Sequence, residues 1–423
     1  MNIGLVLWNL YITKGGIERL GAIITNEMTR RGHNVFIFCK CIPPMSKPHF
    51  PLPKSVKSVA LDLNSCSSLE RAVQKIKKTE LDVMCVMFSG DELLWMTALM
   101  NKTDIPFIIS EHTKPEVIEA EHWNAYERRA CLAAADKIHV LTRYFHSKLP
   151  GFLQGRAEII PNPSQGPCPV PADRERLRPK RIIAAGRMGD AIKQFSMLIK
   201  AFKLLSPQFQ DWNLCICGDG IDLPKLVQLA HELGISDRVE FPGMVDNIED
   251  YYAASHIFCI PSRHEGFGLV TVEAQRYGLP AVGFADCTGT NEIIIHGENG
   301  LLAPEQTPAA LAASLRVLMK NASLRQAMGK KGQELLIRYD EQAVMDQWEN
   351  LFLDAAKAKG RTRLNLFNLD EQAASEGALQ EILSRKHPFT RPVCARLEAE
   401  IKQLQHNFNQ AVMLLQHHGI INM

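Results

Sequence analysis

The stretch PNPSQGPCPVPADRERLRP, residues 161–179, decides the fold because it divides the chain into two similar halves. Its six prolines in nineteen residues exclude a helix and a central strand, since proline has no backbone N–H to donate. Short apolar runs alternate with amphipathic helical patterns before this stretch, and the alternation restarts at Arg181. Such alternation is typical of parallel sheets covered by helices on both faces. We therefore predict two doubly wound α/β domains joined by a linker.

The predicted domain boundaries follow these changes of pattern. The N-terminal domain covers residues 1–165, the linker residues 166–179, and the C-terminal domain residues 180–359. Residues 360–423 differ again, because apolar side chains recur at heptad spacing over 397–415. We predict a helical extension there. It either packs on its own domain or forms a short coiled coil that makes a homo-oligomer.

The composition excludes several classes of protein. The chain has 423 residues, of which 46% are hydrophobic and 22% charged, as in ordinary soluble globular proteins. Its net charge of +2 gives no reason to expect a nucleic-acid partner. The first apolar run fits a buried strand better than a signal peptide, and no run is long enough for a transmembrane helix. The eleven cysteines lack metal-binding spacing, which favours buried free thiols in a reducing cytoplasm.

A pair of glutamates marks the predicted site. In RHEGFGLVTVEAQRYG, residues 263–278, Glu265 precedes a Gly-Phe-Gly turn and Glu273 follows eight residues later in a helical pattern. With one carboxylate on the loop and the other in the helix, both can point into one cavity. Amides at the start of such a helix bind anions readily. These amides belong to Phe267, Gly268 and Leu269. Hydroxyls for the carboxylates and phosphates for the amides are both found in a nucleotide sugar.

Two cations follow the first strand of the second half. They are Arg187 and Lys193, in the loop GRMGDAIK. Arginine can hold a phosphate through two parallel hydrogen bonds, and lysine supplies a mobile point charge. Such a pair suits a diphosphate and would make a metal ion unnecessary. The alternative interpretation is two solvated surface cations.

Glycine turns follow two other predicted strands. Gly15 and Gly16 would let the backbone approach a phosphate at the mouth of a helix, and Gly218 and Gly220 permit a tight turn beside a ligand. A plain turn explains each pair equally well. The first loop is not G-x-G-x-x-G, and no acidic residue ends the second strand, which counts against a dinucleotide oxidoreductase. His112, in SEHTKP after another strand, is either structural or part of the site.

Taken in order, these motifs resemble those of the family-four retaining glycosyltransferases, the glycosyl transferases group 1. The resemblance rests on GGIER, IIPNP, GR…K, ICGDG, VEFPG, EGFGLVTVE, NEII and NGLL, and covers roughly residues 1–355. It implies a GT-B architecture, in which two facing Rossmann-like domains border a cleft. The second domain would hold the donor nucleotide and the first the acceptor. It also implies metal-independent transfer, with retention by front-face attack.

The resemblance assigns a role to each residue of the C-terminal motifs. Arg187 and Lys193 would hold the donor diphosphate and stabilise the departing charge. Glu273 would bind the ribose hydroxyls, and Glu265 the hydroxyls of the donor sugar. The turn after Glu265 would hold phosphate and sugar through its amides.

Two residues of the N-terminal half also receive roles. Gly16 would lie against the diphosphate, and His112 near the donor sugar and the acceptor. The chain departs from the family pattern in two places. Gln194 follows Lys193 where the family often has glycine, and TGTNE at 288–292 replaces Gly-Gly before Pro-Glu. The second departure affects the contacts to the sugar.

The function implied is transfer of a sugar from a nucleotide donor, with UDP favoured, to a glycan or lipid-linked acceptor in cell-surface polysaccharide biosynthesis. No cofactor beyond the nucleotide-sugar co-substrate is expected. Arg71, Lys75 and Lys78 recur at helical spacing and either contact anionic lipid from the cytoplasm or form a solvated face. Two alternatives stay open. One is a nucleotide-sugar epimerase or sugar-phosphate synthase on the same fold, and the other is a non-catalytic nucleotide-sugar-binding scaffold.

Overall fold

The chain folds into two compact units, seen in a computed structural model that describes residues 1–12, 15–42, 47–63, 66–87, 92–121, 125–166, 168–169 and 174–359. Unit 1 comprises Met1–Ile160 together with residues 345–359, and unit 2 comprises Pro161–Val344. The predicted helical extension, residues 360–423 with its heptads at 397–415, lies outside the described residues.

Unit 1 contains a parallel sheet, with seven strands in the part of the chain that is described. The strands are β1 (Asn2–Val6), β2 (Asn34–Cys39), β3 (Lys57–Ala60), β4 (Val83–Val86), β5 (Phe107–Glu111), β6 (Lys137–Val140) and β7 (Ala157–Ile159). Across the sheet they run β3-β2-β1-β4-β5-β6-β7. The order reverses between β1 and β4, and ligands of such sheets bind at the carboxyl ends of the strands beside this reversal.

Helices connect these strands in the order expected of a doubly wound sheet. They are α1 (Gly16–Arg30), α2 (Cys66–Lys77), α3 (Glu92–Asn101), α4 (Pro115–Glu121), α5 (Ala125–Ala134), α6 (Arg143–Ser147) and α7 (Gly151–Gln154). In α1, Leu20, Ile24 and Met28 recur every four residues and are buried against the sheet. Gly32 follows with φ of +89°, a left-handed conformation that ends the helix.

Unit 2 repeats the plan with six parallel strands. They are β8 (Lys180–Ala185), β9 (Trp212–Cys217), β10 (Val239–Gly243), β11 (Ile257–Cys259), β12 (Ala281–Phe284) and β13 (Gly300–Ala303). Their order is β10-β9-β8-β11-β12-β13, with the reversal between β8 and β11. The two parallel α/β sheets confirm the predicted fold class.

Helices pack on both faces of the second sheet. They are α8 (Asp190–Lys193), α9 (Phe195–Leu205), α10 (Leu223–Glu232), α11 (Ile248–Ala253), α12 (Leu269–Arg276), α13 (Thr290–Ile293), α14 (Pro308–Lys320) and α15 (Ala322–Leu335), and α16 (Glu341–Ala356) follows them in the chain. Successive strand residues enter different core clusters: Ile182 joins Phe202 of α9, whereas Ile183 joins Ala274 of α12. This alternation explains why successive residues in the middle of β8 are all apolar. In the described ranges, no helix combines the length and apolarity that crossing a membrane requires.

The described part of the proline-rich segment packs on unit 2. Arg174 donates a hydrogen bond to the Gly278 carbonyl at 3.0 Å, and Glu175 forms an ion pair with the buried Arg325. The residues predicted as the linker, 166–179, therefore have fixed contacts with the C-terminal unit where they are described. Proline pattern shows where regular structure stops, but it does not show which surface the segment covers.

The last described helix returns to unit 1. Trp348 of α16 packs on His139, with ring centroids 4.3 Å apart, and the Glu349 carboxylate accepts a hydrogen bond from Arg31 at 2.5 Å. Residues 345–359 thus belong to the N-terminal unit, whereas the sequence pattern placed residues 180–359 in the C-terminal domain. An amphipathic pattern identifies a helix but not the unit on which it packs.

Candidate functional site

An ion pair between Lys193 and Glu265 forms the centre of the candidate site in unit 2. Lys193 Nζ donates to Glu265 Oε1 at 2.7 Å, and Ser262 Oγ donates to the same oxygen at 2.6 Å. The lysine and glutamate side chains keep only 24% and 11% of their surface exposed. Lys193 follows β8 and Glu265 follows β11, the two strands at the reversal of the sheet order. The topology therefore joins two residues 72 positions apart, as the sequence hypothesis requires.

The two oxygens of Glu265 have different surroundings. Oε1 accepts both hydrogen bonds just described, while Oε2 accepts none from the described residues. A carboxylate has about four lone-pair sites, so Oε2 is still able to accept hydrogen bonds from hydroxyl groups. Lys193 has three N–H donors and uses one on Glu265. The pair thus offers both an acceptor and cationic donors to a ligand.

Arg187 stands in the loop between β8 and α8, the helix that ends with Lys193. Its side chain is exposed and makes no hydrogen bond or ion pair with the described residues. The guanidinium therefore has all five N–H donors uncommitted. Its proposed cooperation with Lys193 at a diphosphate stays a prediction.

Gly218 and Gly220 are explained by the packing of two loops. A Cβ on Gly218 would lie 2.0 Å from the carbonyl oxygen of Gly186, and one on Gly220 would lie 2.5 Å from that of Met188. Their φ angles are +137° and +158°. The close approach at this turn is therefore to the β8–α8 loop, the loop that carries Arg187. A direct contact of either glycine with a ligand stays a prediction.

The turn before α12 presents backbone rather than side chains. Gly268 caps the helix with φ of +91°, and a Cβ there would lie 3.0 Å from Thr290 Cγ2. The Phe267 ring is 5% exposed and packs edge-on against Tyr339, so only its amide can meet a ligand. From Leu269 the helix continues to half-buried Glu273.

Glu273 lies on α12 and contacts Tyr252 of α11. Its Oε2 accepts a hydrogen bond from Tyr252 Oη at 3.4 Å. The structure thus brings Glu265 into contact with Lys193, and it brings Glu273 into contact with Tyr252. The predicted role of Glu273 at a ribose stays a prediction.

The two departures from the family pattern both border the ion pair. Gln194 follows Lys193 with φ of +51°, and its buried Oε1 has no hydrogen-bond partner in the described part of the chain. The Thr288 carbonyl accepts a hydrogen bond from the Glu265 amide at 3.1 Å, while buried Thr288 Oγ1 has no described partner either. Buried polar atoms are normally satisfied, so each leaves a hydrogen-bonding position for a ligand or a water.

In unit 1, Gly15 and Gly16 precede and begin α1. A Cβ on Gly15 would lie 2.5 Å from Glu18 Oε2, whereas one on Gly16 would meet nothing within 4 Å. The sequence reasoning missed Glu18, a buried carboxylate in the first turn of α1. Glu18 thus lies at the N-terminus of α1, where the partial positive charge of the helix was expected to attract a phosphate. The predicted phosphate contacts of Gly15 and Gly16 stay predictions.

His112, also in unit 1, begins a chain of three hydrogen bonds. Its Nε2 lies 2.7 Å from Ser110 Oγ, which lies 2.6 Å from His139 Nδ1, and His139 Nε2 donates to the Ile160 carbonyl at 2.8 Å. Burial, together with the neighbouring His139, lowers the pKa of His112 to about 3, and burial lowers the pKa of His139 to about 4. The sequence reasoning named His112 and missed the other two. Their signal was a polar residue inside each of two mainly apolar strands, away from the first and last position.

Known families match both halves of the chain. Residues 14–163 match the family described as Glycosyltransferase Family 4, and residues 171–335 match Glycosyl transferases group 1. An uncharacterised glycosyltransferase of Haemophilus influenzae is 26% identical over 362 residues, which are 82% of this chain and 99% of that protein. The amylovoran biosynthesis glycosyltransferase AmsD of Erwinia amylovora is 22% identical over 82% of this chain and 98% of its own length.

A solved structure shows the same fold. HepE of Anabaena, determined in complex with UDP and glucose, matches with a TM-score of 0.68. The match covers 83% of this chain and 98% of HepE at 18% identity.

Proposed function

The chain belongs to the glycosyl transferases group 1, the family-four glycosyltransferases of GT-B fold, and from this premise we propose that it is a retaining enzyme that uses a nucleotide sugar. The donor is a UDP-sugar, and the acceptor is a glycan or lipid-linked sugar in cell-surface polysaccharide biosynthesis. Two similar proteins support these choices. AmsD is named for amylovoran biosynthesis, and HepE was solved with UDP and glucose.

The observation that carries the proposal is the Lys193–Glu265 ion pair at the reversal of the unit 2 sheet. Glu265 Oε2 is available to sugar hydroxyls, while the remaining N–H groups of Lys193 are available to phosphate oxygens. Arg187 adds a guanidinium that no described residue engages. A ligand that carries hydroxyls next to a diphosphate satisfies all three groups.

In the proposed reaction, the bond between the anomeric carbon and the β-phosphate oxygen breaks. Negative charge grows on the departing diphosphate, and Arg187 and Lys193 stabilise it without a metal ion or cofactor. The acceptor hydroxyl attacks from the same face and gives its proton to the leaving phosphate, so the anomeric configuration is retained. Glu265 is no nucleophile in this scheme, because Lys193 and Ser262 hold its carboxylate and its role is to bind sugar hydroxyls.

The other predicted contacts complete the proposal. Glu273 binds the ribose hydroxyls, and the amides of the turn before α12 bind phosphate and sugar. Gly218 and Gly220 keep the β8–α8 loop in place. In the N-terminal unit, Gly16 lies against the diphosphate and His112 near the reacting sugar.

A nucleotide panel tests the proposal. Thermal unfolding is measured with UDP, GDP, ADP and CDP, and turnover is then measured with sugar donors of the nucleotide that stabilises most. We expect the largest stabilisation from UDP and an α-linked product from an α-configured donor. Release of an isomerised sugar without an acceptor would instead favour an epimerase. Tight nucleotide binding without turnover of any donor would favour the non-catalytic scaffold.

We also propose that unit 1 meets the cytoplasmic face of a membrane through charge alone. An open depression of about 940 Å³ beside α2 is lined by four basic residues, Arg71, Lys75, Lys78 and Lys102, and by one acidic residue, Glu70. The apolar residues of the same helix, including Ala72 and Ile76, are buried in the core of the unit. They are therefore not available to insert into lipid, and attraction to anionic headgroups is the contact that remains.

A further inference from the structure

The hydrogen-bonded chain at His112 follows from the register of two strands. β5 and β6 pair in parallel with Ser110 opposite His139. His112 stands two residues beyond Ser110, and side chains two apart along an extended chain point to the same side. Glu111, between them, instead forms a buried ion pair with Arg128. The pleat thus lines up His112, Ser110 and His139 on one side of the sheet.

The Ile160 carbonyl sets the direction of every hydrogen bond in this chain. A carbonyl only accepts, so His139 Nε2 carries a proton. A neutral imidazole then has a bare Nδ1, which accepts the single hydroxyl proton of Ser110. Having donated that proton, Ser110 Oγ accepts from His112, and this places a proton on His112 Nε2.

Both imidazoles are kept neutral by their surroundings. Burial lowers the pKa of each well below neutral pH. Trp348 of α16 covers His139 at a centroid distance of 4.3 Å, and His139 is fully buried. A second proton on His139 would therefore be a buried charge without a counter-ion in the hydrogen-bonded chain.

We propose that Ser110 and His139 are positioning residues that hold His112 in its Nε2–H tautomer, so that the Nδ1 lone pair accepts a hydrogen bond from a substrate hydroxyl. Nδ1 makes no hydrogen bond with the described residues. A lone pair attracts hydroxyl groups and repels phosphate oxygens, so His112 recognises the sugar and not the diphosphate. The identity of the partner as a sugar hydroxyl rests on the proposed function.

The tautomer is measured on the full chain without ligand. Protein labelled with ¹⁵N-histidine gives long-range ¹H–¹⁵N correlations, and a His112→Gln variant identifies the His112 signals. We expect protonated Nε2 and bare Nδ1 in the wild type. His139→Phe removes the acceptor of the Ser110 proton but keeps the ring volume, and we expect mixed His112 tautomers. Protonated Nδ1 in the wild type, or an unchanged tautomer in His139→Phe, would overturn the proposal.

Activity is measured with the donor found in the nucleotide panel. Ser110→Ala should lower kcat/KM about tenfold, the effect of losing one well-placed hydrogen bond. Ser110→Thr keeps the hydroxyl and should restore both the tautomer and the rate. Mixed tautomers with unchanged kcat/KM would overturn the role in transfer. If no donor is turned over, the proposed function is wrong, and so is the sugar hydroxyl as the partner of His112. The tautomer proposal is still tested in that case, because the His112 tautomer is measured without ligand.

Discussion

The two carboxylate oxygens of Glu265 differ in their hydrogen-bond partners. Oε1 is fixed by Lys193 and Ser262, which sets the plane of the group, and Oε2 is the oxygen that we propose binds the ligand. The same contacts neutralise the charge that a nucleophile would need. An ion pair with limited exposure is also stronger than a surface pair, because less solvent screens it.

Replacing Glu265 with glutamine keeps the shape of the side chain and removes its charge. We expect turnover of the nucleotide sugar to fall about 100-fold or more, because Lys193 loses its partner and Oε2 becomes a weaker acceptor. Nucleotide affinity should change much less. Steady-state kinetics and nucleotide-dependent thermal shifts measure the two effects. Glu305→Gln, at an exposed glutamate of the same unit, is the control, and a normal rate for Glu265→Gln would remove this residue from the site.

Arg187 gives a second test at the residue scale. Since no described residue engages its guanidinium, Arg187→Ala should leave the melting temperature of the free protein unchanged. The stabilisation by UDP should nearly disappear, because a bidentate phosphate contact is lost. Lys200→Ala removes an exposed cation from α9 and should keep that stabilisation. An undiminished shift in Arg187→Ala would place the diphosphate elsewhere.

Gln194 holds a backbone conformation that favours glycine. A residue with a Cβ is destabilised by roughly 1–2 kcal/mol at its φ of +51°. Glycine avoids this strain, but its greater conformational freedom in the unfolded chain offsets part of the gain in stability. Gln194→Gly and Gln194→Ala both lack the glutamine amide. The difference between their stabilities therefore measures the cost of the backbone conformation. We expect the glycine variant to be more stable by about 1 kcal/mol in denaturant unfolding. Equal stabilities would show that the loop adopts another conformation.

Sequence reasoning reached some of these residues and missed others for identifiable reasons. Motif order pointed to Lys193 and Glu265, but their contact depends on β8 and β11 being neighbours, which local pattern does not reveal. Ser110 and His139 belong to no motif. They become visible only when strand register sets them opposite each other.

At the scale of elements, α16 links the end of the described chain to the N-terminal sheet. Its buried face carries Trp348 and Phe352, and its polar face joins Arg31 and Lys137 through carboxylates. The alternation of strands and helices predicted both sheets. The partner of α16 was not predictable, because burial of an amphipathic face is equally favourable on any complementary surface.

Trp348 makes the contribution of α16 measurable. The ring is fully buried, so Trp348→Ala should destabilise the unit by about 3–5 kcal/mol through lost burial and an unfilled cavity. Leu353→Ala truncates a side chain that is 44% exposed on the same helix and should cost about 1 kcal/mol or less. Urea unfolding followed by circular dichroism compares the two variants. Similar losses would mean that α16 is held by its ion pairs and not by its apolar face.

At the scale of the whole molecule, the net charge is only +2, yet basic side chains are concentrated at one place on unit 1. Four basic side chains surround the depression beside α2, while Lys75 Nζ also donates to the Ala60 carbonyl. Composition alone gave no reason to expect a nucleic-acid partner. The basic helix was visible in the sequence, but burial of its apolar residues was not, and that burial is the reason why we propose an electrostatic contact at α2.

Charge reversal in α2 and at the residue after its end tests this mode of contact. Lys75→Glu with Lys78→Glu should weaken binding to phosphatidylserine-containing vesicles at least about 30-fold, because each basic residue near such a surface contributes about 1 kcal/mol. Co-sedimentation measures the binding, with phosphatidylcholine vesicles as the uncharged reference. Lys320→Glu with Lys330→Glu changes the net charge equally on exposed positions of unit 2 and should retain wild-type binding. Equal losses in the two double variants would trace the attraction to overall charge and remove α2 as the contact surface.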